Sequence, residues 1–156
     1  MTATIATADA LARIAHHGQV DKAGRDYIDH PRAVAHLLVR DGYSDDHIMA
    51  GLLHDIVEDT PVTFDDLLLF GYPRNVVRAV DSVTRREGPQ YPDGKEPYMD
   101  LIRRAAADPI GRVVKLMDNT TNSDPARLAL LTAEERAWFT QKYAKARAVL
   151  QGEGAL

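Results

Sequence analysis

The chain has 156 residues, a net charge of −4 and no cysteine. This length predicts one domain, which can bury enough surface to fold without a covalent staple. The absence of cysteine excludes disulfides, thiolate zinc sites and cysteine nucleophiles. No long basic run is present, so the sequence disfavours a nucleic-acid polymer as a partner. It also lacks a signal-peptide pattern and a membrane-spanning segment, and we therefore expect a soluble, cytoplasmic protein.

Helical periodicity dominates the chain, with apolar side chains three and four residues apart. In chain order, the pattern predicts helices over approximately residues 7–16, 31–41, 45–57, 63–70, 73–83, 95–107, 109–122 and 133–150. No run of strict alternation predicts a useful strand, so the predicted fold class is all-α. We expect a single domain over residues 1–156, with a core of about 7–150 and a short flexible tail after Gln151.

Several local signals support these boundaries. Two pairs have the spacing of a capping box: Thr63 with Asp66, and Thr132 with Glu135. On the last predicted helix, we expect Trp138 and Phe139 to pack into the core. Segment 84–94 is long, polar and rich in glycine and proline, and we hypothesise that it is a lid.

The most informative motif is HDIVEDT, residues 54–60, at the end of a predicted helix. Glu58 follows His54 by four residues, and Asp59 follows Asp55 by four, so each pair is expected on one helix surface. The preceding segment, 48–53, is apolar. Like charges at this spacing destabilise a helix unless a cation lies among them. The motif therefore favours a metal site.

Two further residues complete a candidate ligand set. His30 stands before Pro31 at a predicted helix start, and Asp118 follows an apolar segment. A buried acid at position 118 needs a metal or a partner such as Lys115, because burying a lone charge is costly. Two imidazoles and two carboxylates suit Mn²⁺ or Fe²⁺ better than structural zinc, whereas Mg²⁺ binds few imidazoles. We predict that one divalent ion binds His30, His54, Asp55 and Asp118.

The order His…His-Asp…Asp resembles the signature of the HD metallophosphohydrolases. Four segments are similar to the hydrolase domain of the RelA/SpoT homologues: AHHGQVDKAGRDYIDHP (15–31), AGLLHDIVEDT (50–60), TFDDLLLFGYPRNVVRAVDSVTR (63–85) and VVKLMDNTTN (113–122). In particular, the chain resembles the small, stand-alone alarmone hydrolases of the Mesh type over about residues 7–127. The resemblance implies an HD-domain helical bundle with a central metal site.

The resemblance also implies an activity. Members of this group use Mn²⁺ to remove the 3′-pyrophosphate of guanosine tetraphosphate or pentaphosphate (ppGpp or pppGpp). The family's metal ligands correspond to His30, His54, Asp55 and Asp118. Glu58 and Asp59 match the acidic pair that positions and activates the attacking water. Lys22 matches a basic residue near the nucleotide, and Asn122 matches a residue near the ribose.

Two alternatives stay open, and a departure from the family pattern supports the first of them. Asp21 stands where the alarmone hydrolases usually carry an arginine that packs on the guanine. The first alternative is a hydrolase of another phosphorylated nucleotide or nucleotide cofactor. The second is a non-catalytic module that binds a nucleotide and regulates a partner. The intact pair of Glu58 and Asp59 argues against this second alternative, because binding alone needs no water-activating group.

Overall fold

The computed structural model describes residues 2–152, which fold into a bundle of helices. The first five are α1 (Ile5–Ala15), α2 (Asp29–Arg40), α3 (Asp45–Leu53), α4 (Ile56–Asp59) and α5 (Phe64–Leu69). The others are α6 (Arg74–Val83), α7 (Tyr98–Ala107), α8 (Pro109–Asn122), α9 (Pro125–Leu128) and α10 (Ala133–Leu150). Extended pairing within residues 2–152 is limited to isolated bridges. The predicted all-α fold class is confirmed, whereas the tail from residue 153 onwards lies outside the described residues.

The central element is α3, whose residues from Ile48 to Leu53 are all buried. A helix that is apolar all round belongs in the middle of a bundle, and α1, α2, α6 and α8 pack against this one. Gly51 allows α2 to approach closely, because an added Cβ would lie 2.6 Å from Leu38 Cδ1. This close packing brings the first turn of α2 towards the end of α3.

The predicted continuous helix over residues 45–57 is interrupted. After α3 ends at Leu53, His54 forms its C-cap, and Asp55 has φ −103° and ψ 0°. This conformation is near the bridge region, where the regular helical hydrogen-bond ladder stops. The interruption separates the His54-Asp55 dyad from α4, which carries the two following acids.

Helix ends follow the predicted capping chemistry more closely. The capping boxes at Thr63 and Thr132 are both present, with Asp66 and Glu135 as their reciprocal partners. One prediction for α10 is wrong: Trp138 is 57% exposed rather than in the core. The reason is that α10 buries residues only in its second half, at Ala146 and Leu150.

Among residues 2–152, no helix combines the length and the apolar character that crossing a membrane requires.

Candidate functional site

Four polar side chains converge at the centre of the bundle. His30 lies in the first turn of α2, His54 caps α3, Asp55 follows it, and Asp118 lies on α8. His30 Nε2 is 2.9 Å from Asp118 Oδ1 and 3.8 Å from Asp55 Oδ2. His54 Nε2 is 3.1 Å from Asp55 Oδ2 and 3.5 Å from Asp118 Oδ1. The structure thus brings together all four residues predicted as ligands, and we call them the His/Asp cluster.

The orientation of His54 suits metal binding. Its Nδ1 lies 2.7 Å from the carbonyl oxygen of Gly51, which can only accept, so Nδ1 carries the proton. Nε2 therefore faces the carboxylates, and its lone pair points at them when this nitrogen carries no proton. It is buried and makes no well-aligned hydrogen bond within residues 2–152, although Asp55 Oδ2 lies 3.1 Å away. A histidine fixed through one nitrogen by a backbone carbonyl, with the other nitrogen free, is the usual arrangement of a metal ligand.

The two carboxylates make the cluster strongly attractive to positive charge. Burial alone would raise the pKa of Asp118, but Lys115 and the two imidazoles hold it well below its usual range. Burial would likewise lower the pKa of His54, but Asp55 and Asp118 raise it well above its ordinary value. Two imidazole nitrogens and two ionised carboxylates form a donor set that fits a divalent metal ion.

Three neighbours orient the carboxylates of the cluster. The Tyr27 hydroxyl donates to Asp55 Oδ2 at 2.5 Å, and Lys115 Nζ donates to Asp118 Oδ2 at 2.8 Å. Asn122 Nδ2 donates to Asp118 Oδ1 at 3.1 Å, one helical turn further along α8. The spacing of three residues between Lys115 and Asp118 made that pair foreseeable. The Tyr27 contact joins positions that are 28 residues apart, and no local pattern indicates it.

Glu58 and Asp59 remain beside the cluster although the helix is interrupted before them. Asp55, Glu58 and Asp59 present carboxylate oxygens within 4.8 Å of one another. Glu58 Oε1 accepts the backbone N–H of Arg85 at 2.7 Å. Burial, followed by the charges of Asp55 and Glu58, raises the pKa of Asp59 to about 6. Of this acidic pair, Asp59 therefore has the properties of a proton acceptor near neutral pH.

Two residues link this acidic pair to the loop after α1. Gln19 Nε2 donates to the carbonyl oxygen of Asp59 at 2.8 Å, and Gln19 Oε1 lies 2.8 Å from His16 Nδ1. Because that oxygen can only accept, His16 Nδ1 is the donor. His16 is buried, so the chain of contacts anchors the end of α4 to a fixed point. The sequence contains no local signal for this link, which joins positions 40 residues apart.

Arg127 on α9 also reaches the cluster. Its Nη1 lies 2.7 Å from His30 Nδ1, and a guanidinium can only donate, so Nδ1 accepts in this arrangement. A neutral His30 then carries its proton on Nε2, facing Asp118. If Nε2 binds a cation instead, the proton must be on Nδ1. Nδ1 is then a donor like the guanidinium, so the hydrogen bond with Arg127 must be lost and another acceptor must take its place. Arg127 was not among the predicted site residues, because the short helix α9 was not predicted.

A cavity of about 310 Å³ opens beside the cluster, and both predicted substrate-binding residues, Lys22 and Asn122, line it. We call it the nucleotide cavity, after the ligand that the sequence predicts for these two residues. Its wall also includes Asp21, whose Oδ1 accepts the backbone N–H groups of Ala23 and Arg25 at 2.8 and 3.0 Å. Asp21 Oδ2 pairs with Arg25 Nε at 3.2 Å. The carboxylate of Asp21 therefore stabilises the loop and is largely neutralised within it.

Comparisons with known proteins show what this chain is similar to. Residues 8–141 match the family model described as HD domain. The bifunctional (p)ppGpp synthase/hydrolase SpoT of Escherichia coli K12 is 36% identical over 117 residues, covering 72% of this chain and 16% of that protein. A guanosine-3′,5′-bis(diphosphate) 3′-pyrophosphohydrolase of Vibrio cholerae is 35% identical, with the same coverage. The chain thus spans about one sixth of the length of these curated relatives.

A solved structure provides a comparison over nearly the whole chain. It is described as a metazoan orthologue of SpoT that hydrolyses ppGpp and has a role in starvation responses. The two structures align with a TM-score of 0.77 and 25% sequence identity, covering 96% of this chain and 86% of the other.

Proposed function

This chain belongs to the HD domain family, and on that basis we propose that it is a metal-dependent hydrolase that removes the 3′-pyrophosphate of ppGpp and pppGpp. The observation that carries the proposal is the convergence of His30, His54, Asp55 and Asp118 beside two further acids. The similarity to ppGpp hydrolases over most of the chain supports the choice of substrate.

The proposed ligands of the metal are the four residues of the His/Asp cluster, and the proposed ion is Mn²⁺, with Fe²⁺ as the next choice. The mixed imidazole and carboxylate donor set supports a transition metal over Mg²⁺. When bound, such an ion supplies Lewis-acid stabilisation of charge on the phosphoryl oxygens. Tyr27 and Lys115 hold the two carboxylates in place. Lys115 donates to Asp118 Oδ2 and leaves Oδ1 beside the imidazoles, whereas Tyr27 donates to Asp55 Oδ2, the oxygen that itself lies 3.1 Å from His54 Nε2.

We assign different roles to the two acids of α4. Glu58 is held by the Arg85 N–H, so it orients the attacking water as an acceptor. Asp59, whose pKa is raised to about 6, takes the proton of that water. The oxygen of the water bonds to the phosphorus attached to ribose O3′, and the bond from that phosphorus to O3′ breaks. Pyrophosphate leaves, and O3′ acquires a proton.

The nucleotide cavity is the proposed binding site for the nucleoside. In this proposal, Lys22 offers a point charge to phosphate, and Asn122, which lines the cavity and donates to Asp118, contacts the ribose. The stacked rings of Phe139 and Tyr143, 5.7 Å apart, provide an aromatic wall for the base. Since Asp21 is neutralised by Arg25, it does not repel phosphate as a free carboxylate would.

A substrate panel tests the proposal. The purified protein is loaded with Mn²⁺, Fe²⁺, Mg²⁺ or Zn²⁺ after chelation, and is offered ppGpp, pppGpp, NADPH and ordinary nucleotides. We expect release of pyrophosphate from ppGpp and pppGpp, with the highest rate in Mn²⁺. Turnover of NADPH or another nucleotide alone would overturn the alarmone assignment. Tight nucleotide binding without any turnover would overturn the enzymatic one.

One observation favours a second substrate class. Asp21 replaces an arginine that could stack on guanine, and the cavity offers Phe139 and Tyr143 instead, which stack on any base. A hydrolase of another phosphorylated nucleotide is therefore the second candidate. The same panel distinguishes it, because guanine and adenine nucleotides are compared directly.

A further inference from the structure

A second cavity, of about 400 Å³, lies between α7 and α10 and has three cationic side chains in its wall. Arg85 follows α6, and Lys142 and Lys145 lie one turn apart on α10. Tyr98 and Trp138 form part of its aromatic wall. We call this space the cationic cavity. None of the residues predicted as ligands or catalytic acids lines it.

The three cations of this cavity have no carboxylate partner in the part of the chain that the structure describes. The ion pairs formed within residues 2–152 involve other lysines, arginines and histidines, and none includes Arg85, Lys142 or Lys145. The guanidinium of Arg85 uses Nε to donate to the carbonyl oxygen of Glu96 at 2.7 Å. Like charges that are gathered without a counter-charge repel one another, and an anion placed among them relieves that repulsion.

Lys142 is the most constrained of the three. Its Nζ lies 4.1 Å from the ring centroid of Tyr98, 5.0 Å from that of Trp138 and 5.6 Å from that of Phe139. Burial, together with the charges of Arg85 and Lys115, lowers its pKa. The aromatic faces hold the ammonium in place without neutralising it. It is therefore a fixed positive charge available to a ligand.

The cationic cavity adjoins the catalytic groups and the nucleotide cavity. The backbone N–H of Arg85 bonds to Glu58, one of the two acids of α4. Phe139 lines the nucleotide cavity, and its ring contacts Trp138 edge-on at 4.8 Å between centroids. The cationic cavity thus borders both the acidic pair beside the His/Asp cluster and the aromatic wall of the nucleotide cavity.

We propose that the cationic cavity binds the phosphate chain that is not cleaved, on the 5′ side of the nucleotide. This inference rests on the proposed function, in which the substrate carries a second phosphate chain besides the 3′-pyrophosphate. The three cations neutralise that chain and orient the ribose, so that its 3′ side faces the His/Asp cluster. The cavity therefore selects for nucleotides with a 5′-diphosphate or 5′-triphosphate.

A kinetic comparison tests this role. Lys142→Met keeps an unbranched side chain among the aromatic rings and removes the charge. We expect it to raise KM for ppGpp about tenfold, the effect of losing one hydrogen bond to a charged group, with kcat within about twofold. For guanosine 3′-diphosphate with a free 5′-hydroxyl, the variant and the unaltered protein should have equal KM. An equal rise in KM for both substrates, or an unchanged KM for both, would overturn the proposal.

Two further variants distinguish an effect at the cavity from an effect of net charge. Lys145→Met changes an exposed residue and should raise KM for ppGpp by about threefold, since its charge is better solvated. Arg40→Met is the charge control at the far end of α2, about 15 Å along the helix from His30, and should leave KM unchanged. A KM change in Arg40→Met equal to that in Lys142→Met would show an effect of net charge and overturn the assignment to this cavity.

A binding measurement separates this inference from the proposed function. Trp138 is the only tryptophan of the chain and lines the cationic cavity, so its fluorescence reports occupancy there. Guanosine 5′-diphosphate should change the emission of the Mn²⁺-loaded protein, whereas guanosine should not, and Lys142→Met should remove the response. This result would support the cavity even if ppGpp were not hydrolysed. An unchanged response in Lys142→Met would overturn the cavity assignment even if ppGpp were hydrolysed.

Discussion

The His/Asp cluster and the nucleotide cavity adjoin each other but are constructed differently. His30, His54 and Asp118 are almost fully buried and come from packed helices, and each has at least one further contact that fixes its orientation. The nucleotide cavity is formed largely by the loop after α1 and by the segment around α9. Lys22 is exposed there, and its Nζ lies 6.0 Å from the Phe139 ring.

We infer from this difference that the cluster determines the chemistry and that the cavity determines the substrate preference. Buried ligands on rigid helices keep a metal geometry constant, because moving one of them disturbs the core. Loops tolerate a change of side chain more readily than packed helices do, and the loop after α1 is an example. It carries Asp21, whose carboxylate accepts two backbone N–H groups of the same loop. We therefore expect substitutions in the cluster to abolish activity and substitutions around the cavity to adjust it.

The largest effect is expected from Asp55→Ala. It removes a proposed ligand and leaves the Tyr27 hydroxyl without its partner, so metal content by elemental analysis should fall to background. Loss of Lewis-acid stabilisation worth several kcal/mol corresponds to a fall in rate of about 10³-fold or more. Asp100→Ala, at an exposed position on α7, is the matched control and should keep both metal and activity. Full metal retention in Asp55→Ala would show that the ligand set is wrong.

Asp59→Asn should separate catalysis from metal binding within the same region. We expect kcat to fall by about 10²-fold or more, while metal content stays unchanged, because a proton acceptor is lost and the ligands are not. In the unaltered protein, the rate should fall towards acidic pH as Asp59 takes up a proton. Without a cation, the pKa of Asp59 is raised to about 6. A bound cation favours the ionised carboxylate and moves this limb to lower pH.

The pH profile of Asp59→Asn is the decisive readout. The variant cannot ionise at this position. Its remaining activity should therefore lack the fall in rate at low pH, the acidic limb, that the unaltered protein shows. Asp65→Asn, an exposed acid on α5, serves as the control and should keep the limb. If Asp59→Asn retained the same acidic limb, another group would be the proton acceptor.

The two regions also differ in how far the sequence predicted them. The cluster was predictable because His54 and Asp55 are adjacent, and because Asp118 follows an apolar helical segment that had to be buried. Lys115 was foreseeable as its neighbour at a spacing of three residues. The contacts of Tyr27, Gln19 and Arg127 depend on which loops meet across the bundle, and periodicity within one helix carries no information on that.

The helix boundaries show the same limit. Capping chemistry is local, so the box at Thr63 could be read directly from the sequence. The break at His54 and Asp55 is not local, because apolar periodicity continues through Ile56 into α4. The break arises because the side chains of His54 and Asp55 must both turn towards residues on α2 and α8. Trp138 was misplaced for a related reason: an aromatic residue on an amphipathic helix predicts a core position only where another element covers it.

Gln19→Met tests whether the loop after α1 affects the chemistry. The substitution keeps the length of the side chain and removes the hydrogen bond to the Asp59 carbonyl, so the end of α4 loses its anchor. We expect kcat to fall about tenfold, the cost of one lost hydrogen bond, with KM and metal content unchanged. Gln151→Met, an exposed position after α10, is the control for the same chemical change. A rise in KM without a fall in kcat would assign Gln19 to substrate binding instead.

Arg127→Met should produce the smallest change. Its effect on Mn²⁺ affinity at the His/Asp cluster should be opposite in sign to its effect on nucleotide affinity at the nucleotide cavity. The guanidinium contacts His30 and repels a divalent cation, so removing it should tighten Mn²⁺ binding by about threefold. The same arginine lines the nucleotide cavity, and losing its charge should weaken nucleotide binding by a similar factor. Calorimetric titration of Mn²⁺ and of guanosine 5′-diphosphate measures both, with Arg103→Met on α7 as an exposed control. Weaker binding of both ligands would mean that Arg127 supports His30 rather than competing with the metal.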